Sequence, residues 1–327
     1  MDLRAIEYRQ LLQIVTMFMI VQFFGLLLAT QLYSGQTFQQ LTSTQVVSSS
    51  TSALFYIAYV VILAAVLLLV FRIYKGAMLF ILLEGAVVFI TSFFVFLIVF
   101  EVLLPYSFFA YGAQVPMALP LAIICSAFLI AAKNKWQRLR NTAAIIASVG
   151  VGVVLGSTFS FLAAFVFMLI LAVYDFIAVF ITKHMVTMAR AMSERNLAFL
   201  VGVHEIEAVP ESALNKKERS EYLREKPVLV KKGGPIIKEM IKRKLVPVPA
   251  RVELGTGDLA IPLMLAVSAY TVYLSLLLSL SIIIGAIFGL IFTMWLLRKY
   301  RIVLPAIPPI LFGILIAMAI YFLVGSI

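Results

Sequence analysis

The sequence predicts an all-α polytopic membrane protein with nine transmembrane helices, the N-terminus cytoplasmic and the C-terminus outside. Three observations carry that expectation. Of the 327 residues, 63% are apolar and 13% charged, against roughly 45–50% and 25% in an average soluble domain. The apolar residues gather in runs near the length of about 20 that crosses the hydrocarbon as a helix. When those runs are threaded through a bilayer, all 26 Lys and Arg residues fall on one side.

The runs occupy residues 11–32, 53–73, 76–104, 115–132, 142–158, 160–182, 254–275, 277–297 and 302–325. Arg4 and Arg9 precede the first, as in a signal peptide. Its apolar core exceeds the roughly 7–15 residues of a signal h-region and no A-x-A site follows, so the span is expected to be retained. The stretch 76–104 is long enough to tilt or protrude. Residues 142–182 divide at Gly156-Ser157-Thr158, where small and polar residues cluster. The uncharged run Leu259–Leu297 is too long for one helix and divides near Leu276.

With the N-terminus inside, the basic residues lie at Arg4 and Arg9, Arg72 and Lys75, Lys133 to Arg140, Lys183 to Arg251, and Arg298 to Arg301. The outer segments, including 33–52 and 105–114, hold none. That segregation sets the orientation. It also accounts for the net charge of +11 without nucleic acid, because the cytoplasmic face meets anionic lipid headgroups. The expected setting is an integral membrane protein, in the cell membrane if the source is prokaryotic.

Three regions follow: an N-terminal six-helix part (1–182), a cytoplasmic loop (183–253) and a C-terminal three-helix part (254–327), together one membrane domain. Within the loop, 183–196 reads as a helical continuation of span six, and Lys216–Lys226 as a solvated charged segment. Pro235–Lys244 reads as a short basic amphipathic helix at the headgroups. Leu245–Leu254, with Pro247 and Pro249, reads as extended.

Only three of the 15 acidic residues are aspartates: Asp2, Asp175 and Asp258. An ionised carboxylate inside a span costs at least a few kcal/mol, so it marks function or a satisfied pair. Glu101 lies near the outer interface, and Glu84, deeper in span three, reads as structural. Asp175 precedes Lys183 by eight residues, about 12 Å of helix. Asp258 follows Arg251 by seven, about 10 Å if helical. The two acids therefore sit at matching depth under the cytoplasmic face, on spans joined on that side.

Two carboxyls within a few ångströms cannot both ionise cheaply, so they share a proton. Such a pair activates water against a peptide carbonyl, one member as base and the other as acid. No metal and no cofactor is required. The stretch Gly255-Thr256-Gly257-Asp258 places two glycines beside the second acid, where they permit turns and close backbone approach. Chance matches to G-x-G-D in a chain of this composition number about 0.008. Leu304-Pro305-Ala306-Ile307-Pro308-Pro309 opens the last span, and unwound backbone at that depth belongs in a wet or protein-lined cavity.

Tyr174-Asp175, Gly255-Thr256-Gly257-Asp258 and Pro305-Ala306-Ile307 resemble the three motifs of the presenilin and signal peptide peptidase family, the GxGD intramembrane aspartyl proteases. The nine spans and the loop between the aspartates match as well, and the short loops look most like the prokaryotic, particularly archaeal, homologues. The resemblance implies that Asp175 and Asp258 are the catalytic pair. It implies that Tyr174, Gly255 and Gly257 shape the site, while Pro305, Ala306 and Ile307 help hold it together and contact substrate. It further implies transmembrane proteins or peptides as substrates, and an extended Leu245–Leu254 that pairs with an unwound substrate strand. Thr256 and Ile307 stand where leucine is common in the family, a difference bearing on substrate preference and cleavage position.

Other protease classes lack their residues. The histidines, His184 and His204, lie in the loop, so neither a zinc-binding His-Glu-x-x-His nor a buried Ser–His pair exists within a span. The lone Cys125 permits no internal disulfide and no cysteine-cluster metal site. The alternative is a proton-coupled carrier or cation leak channel using the same buried acids.

Overall fold

The computed structural model describes residues 3–34, 77–110, 113–181, 200–210, 245–300 and 305–325. The expected span 53–73 and the loop segments 183–196, 216–226 and 235–244 lie outside them. The chain forms two compact units, residues 1–14 with 202–253 and residues 15–201 with 254–327.

The larger unit is a helical bundle. Helix α1 spans Leu3–Ser34, of which residues 15–34 belong to this unit, α2 Ala77–Leu103, α3 Ala118–Lys135, α4 Gln137–Thr158 and α5 Phe161–Phe176. After Asp175 and Phe176 the fifth helix widens into a π-helical turn, Ile177–Ile181. Helices α6 (Thr256–Tyr273), α7 (Leu276–Tyr300) and α8 (Ile307–Gly325) complete it. Six of these helices are long and apolar enough to cross a membrane: Gln10–Tyr33, Leu82–Leu103, Leu139–Thr158, Phe161–Ile181, Leu276–Leu297 and Ile307–Val324. A helix suits lipid because every backbone bond closes within the segment.

The breaks fall near the expected places, for local reasons. At the end of α4 the hydroxyls of Ser157 and Thr158 donate back to the carbonyls of Val153 and Val154, and the Phe159 N–H closes on the Leu155 carbonyl, one of the last four that a helix end leaves open. Ser160 then caps α5, its hydroxyl accepting from the Ala163 N–H. Between α6 and α7 the chain turns at Leu274, in the left-handed region at φ 51°. Ser275 follows, and its hydroxyl accepts the Leu278 N–H. The division expected near Leu276 therefore lies at Leu274–Ser275.

Helix α6 is the centre of the larger unit. Nearly all of its residues from Leu259 to Ala269 are buried, and it packs against α4, α5 and α7. A helix packed among others tolerates an acid such as Asp258 where a lipid-facing one would not. Helices α7 and α8 meet most closely. A side chain on Gly285 or Gly289 would collide with the backbone around Ile310 and Gly313, the small-residue packing common between membrane helices.

Among the described residues, four strands accompany the helices of the all-α fold. After α2 comes a two-stranded antiparallel pair, β1 (Ser107–Ala110) with β2 (Ala113–Pro116), with Phe108 opposite Val115. The Met117 N–H donates to the Tyr106 carbonyl at 2.9 Å and closes its base. Apolar content at 115–116 read as the start of a span, but the cross-strand pairing takes these residues and the helix begins at Ala118. In the smaller unit β4 (Leu245–Gly255) is extended, as its prolines require, and pairs with β3 (Leu200–Pro210). β3 was not expected, because the loop's charge outweighed its partial alternation of apolar residues.

Glu84 is also explained. Its carboxylate meets Lys133 Nζ at 2.7 Å, with each side chain 5% exposed. The pair ties α2 to α3, so this embedded acid is a satisfied ion pair.

Candidate active site

Asp175 lies in the last turn of α5 and is 6% exposed. Asp258 is the third residue of α6, after the N-cap Gly255, and is half-buried. α5 packs against both α6 and α8. The two carboxyls come near enough for the charge of Asp175 to act on Asp258.

Each acid faces the start of a helix. The Asp258 carboxyl turns back to the backbone amide of Gly255, the return contact of a capping box made from the third helical position. Asp175 Oδ2 accepts the Ile307 N–H at 3.3 Å, and the Ala306 amide also bears on the carboxyl. Ile307 opens α8, so Asp175 sits at that helix's N-terminus. Free N–H groups and the aligned peptide dipoles there favour a negative group.

The prolines sharpen that contact. The first turn of an α-helix has four unpaired N–H groups. Pro308 and Pro309 have none to offer, and the Ile310 N–H returns to the Ala306 carbonyl at 3.4 Å. Ala306 and Ile307 supply the remaining donors, and both are turned to the Asp175 carboxyl. Pro305, Ala306 and Ile307 are all buried.

The two glycines differ. A methyl group on Gly255 would stand 3.1 Å from Asp258 Oδ2 and 3.6 Å from its Cγ, so this position leaves room for the acid. One on Gly257 would meet nothing nearer than Ile261 Cδ1 at 3.9 Å, and Gly257 is exposed. The carbonyl of Thr256 accepts from Ser148 Oγ on α4 at 3.2 Å. Tyr174 is 41% exposed beside Asp175.

Two polar residues at the site were missed in the sequence reading: Ser148, and Gln22 on α1, whose Nε2 donates to the Leu259 carbonyl at 2.9 Å. A polar amide in the middle of the first apolar run was the available signal for Gln22.

The family model described as "Signal-peptide peptidase, presenilin aspartyl protease" matches residues 15–327. The chain belongs to this family. It is therefore an integral membrane protein and an intramembrane aspartyl protease, acting on transmembrane substrates. Among solved structures, the protease is similar to a presenilin family intramembrane aspartate protease in space group C222, with a TM-score of 0.58 and 19% identity over 95% of this chain and 97% of that one. A second, in space group P2, gives 0.57 and 20% identity over 94% and 96%. These likenesses establish a presenilin-like fold. No curated protein matches the chain.

Proposed function

We propose that Asp175 and Asp258 form the catalytic dyad of an endopeptidase that hydrolyses peptide bonds within or near transmembrane segments. The observation that carries this reading is their arrangement: two acids on packed helices, each set against a helix start and near enough to interact.

In the chemistry proposed, the pair holds one proton. The ionised carboxylate takes a proton from water as the water oxygen bonds to the peptide carbonyl carbon. The protonated carboxyl donates to the carbonyl oxygen, giving a tetrahedral diol. As the diol collapses, one of its hydroxyls gives its proton to the ionised carboxylate, the C–N bond breaks, and the departing nitrogen takes the proton of the other carboxyl, so the dyad again holds one. The Gly255–Ile307 neighbourhood has a division of labour. Gly255 leaves space for Asp258, exposed Gly257 and Tyr174 border the substrate, and Thr256 lies between the glycines. Pro305, Ala306 and Ile307 hold Asp175. The extended Leu245–Leu254 offers backbone groups for pairing with an unwound substrate strand.

The same reading takes the chain as nine spans with the N-terminus inside, supported by the one-sided distribution of its 26 basic residues. Residues 1–182 and 254–327 then supply one acid each, with the cytoplasmic loop 183–253 between them. Family membership favours this over the carrier alternative.

Asp175→Asn and Asp258→Asn, purified and placed in liposomes with a transmembrane reporter peptide, should each abolish cleavage. Normal turnover by either variant would refute the dyad.

A further inference from the structure

The Asp258 helix has a weakness in its backbone. Pro262 is four residues beyond the acid, the position whose N–H would bond to the Asp258 carbonyl. Proline has none to give. The acid's own peptide group is thus held by one bond fewer than the rest of α6.

Two neighbouring helices grip the backbone around that gap. Gln22 of α1, 0% exposed, donates Nε2 to the Leu259 carbonyl, the next one along, at 2.9 Å. From α4, Ser148, 1% exposed, shares its proton between the Ala144 carbonyl at 2.8 Å and the Thr256 carbonyl at 3.2 Å. One turn further along, Gly25 of α1 and Gly152 of α4 both press on Leu263. The backbone is therefore held from two sides at Thr256 and Leu259, with Asp258 between the two hydrogen-bonded carbonyls and the Leu263 side chain seated against both neighbouring helices.

Gln22 is poorly explained by stability. Its Oε1 is buried with no hydrogen-bond partner among the described residues, and a buried acceptor left unpaired carries its full desolvation cost. Leu259 does not need the contact, because α-helix geometry already gives its carbonyl the Leu263 N–H. Methionine would fill the same space without the orphaned oxygen. A residue that costs stability at such a point is best accounted for by what it does to its neighbour.

We infer that Gln22 is a positioning residue for Asp258: through the Leu259 carbonyl it fixes the rotation of the first turn of α6 and so the aim of the carboxyl at its partner. This rests on the dyad reading. Because the contact acts on the aim of the acid rather than on substrate, its loss lowers the rate of the chemical step and leaves substrate binding alone.

The test is Gln22→Met in the full-length protein, assayed in liposomes with the same reporter and melted in detergent. The expected result is a fall in kcat of about tenfold, the order produced by misplacing a reacting group by a fraction of an ångström. KM should stay within about twofold, and the Tm should be unchanged or higher. Gln22→Leu serves as the second variant should methionine fail to give folded protein. An unchanged kcat, or a Tm that drops together with kcat, overturns the inference, the latter by showing a merely structural role. If Asp175→Asn and Asp258→Asn abolish cleavage while Gln22→Met turns over normally, only this inference falls. If either Asp→Asn variant still cleaves, the dyad itself is wrong.

Discussion

The Ile307 N–H donates to Asp175 Oδ2 across 132 residues of sequence, at 3.3 Å and away from solvent. The group that meets the acid is main chain, so isoleucine and leucine can both supply it. This accounts for isoleucine at a position where leucine is common in the family.

The contact can be removed without disrupting the helix, since proline is well tolerated at a first helical position. Ile307→Pro should therefore leave α8 intact and lower kcat roughly 10- to 100-fold, the loss expected for a hydrogen bond to a charged group. Ile307→Leu should retain kcat. Steady-state cleavage of the reporter by the two variants checks the contrast, and equal rates would show that the N–H is not used.

Gly255 and Gly257 should fail differently. In Gly255→Ala the new methyl crowds Asp258 Oδ2, at 3.1 Å, and the expected effect is a loss of kcat of at least about tenfold. In Gly257→Ala the methyl enters open space, so the acid keeps its place and the effect should appear as a raised KM. Kinetics over a range of reporter concentrations separates the two.

The Glu84–Lys133 pair should matter for stability and not for chemistry. Breaking a buried ion pair by removing one partner costs about 3–5 kcal/mol. Glu84→Leu or Lys133→Met alone should lower the Tm markedly. Together they should restore much of it, because apolar replacement of both partners removes the unpaired charge. Thermal unfolding of the three variants in detergent reads this directly.

Activity should fall on both sides of a pH optimum. At low pH both carboxyls are protonated and no base remains to take the proton of water. At high pH both are ionised and no acid remains for the carbonyl oxygen. The profile belongs to the pair, and its two limbs are macroscopic values of the coupled site. A rate that rose steadily with pH across the range where the protein stays folded would contradict a shared proton.

Much was legible in the sequence because the bilayer imposes long-wavelength rules on it. Apolar length predicted the helices at 11–32, 76–104, 142–158, 160–182, 254–275, 277–297 and 302–325 closely enough to match α1, α2 and α4 to α8. The cost of burying charge made Asp175 and Asp258 conspicuous before any contact was known. Extended backbone at Leu245–Leu254 followed from two prolines.

Tertiary structure decided which groups meet. It gave Glu84 its partner, made Gly255 the crowded glycine and Gly257 the open one, paired β3 with β4, and turned the Ile307 amide toward Asp175. It also brought Gln22 and Ser148 to the backbone around Asp258. The reason is common to all of these: a peptide N–H or carbonyl is written identically at every position of a chain. Whether one of them serves a catalytic acid depends on helices packing side by side, and that information exists only once the chain has folded.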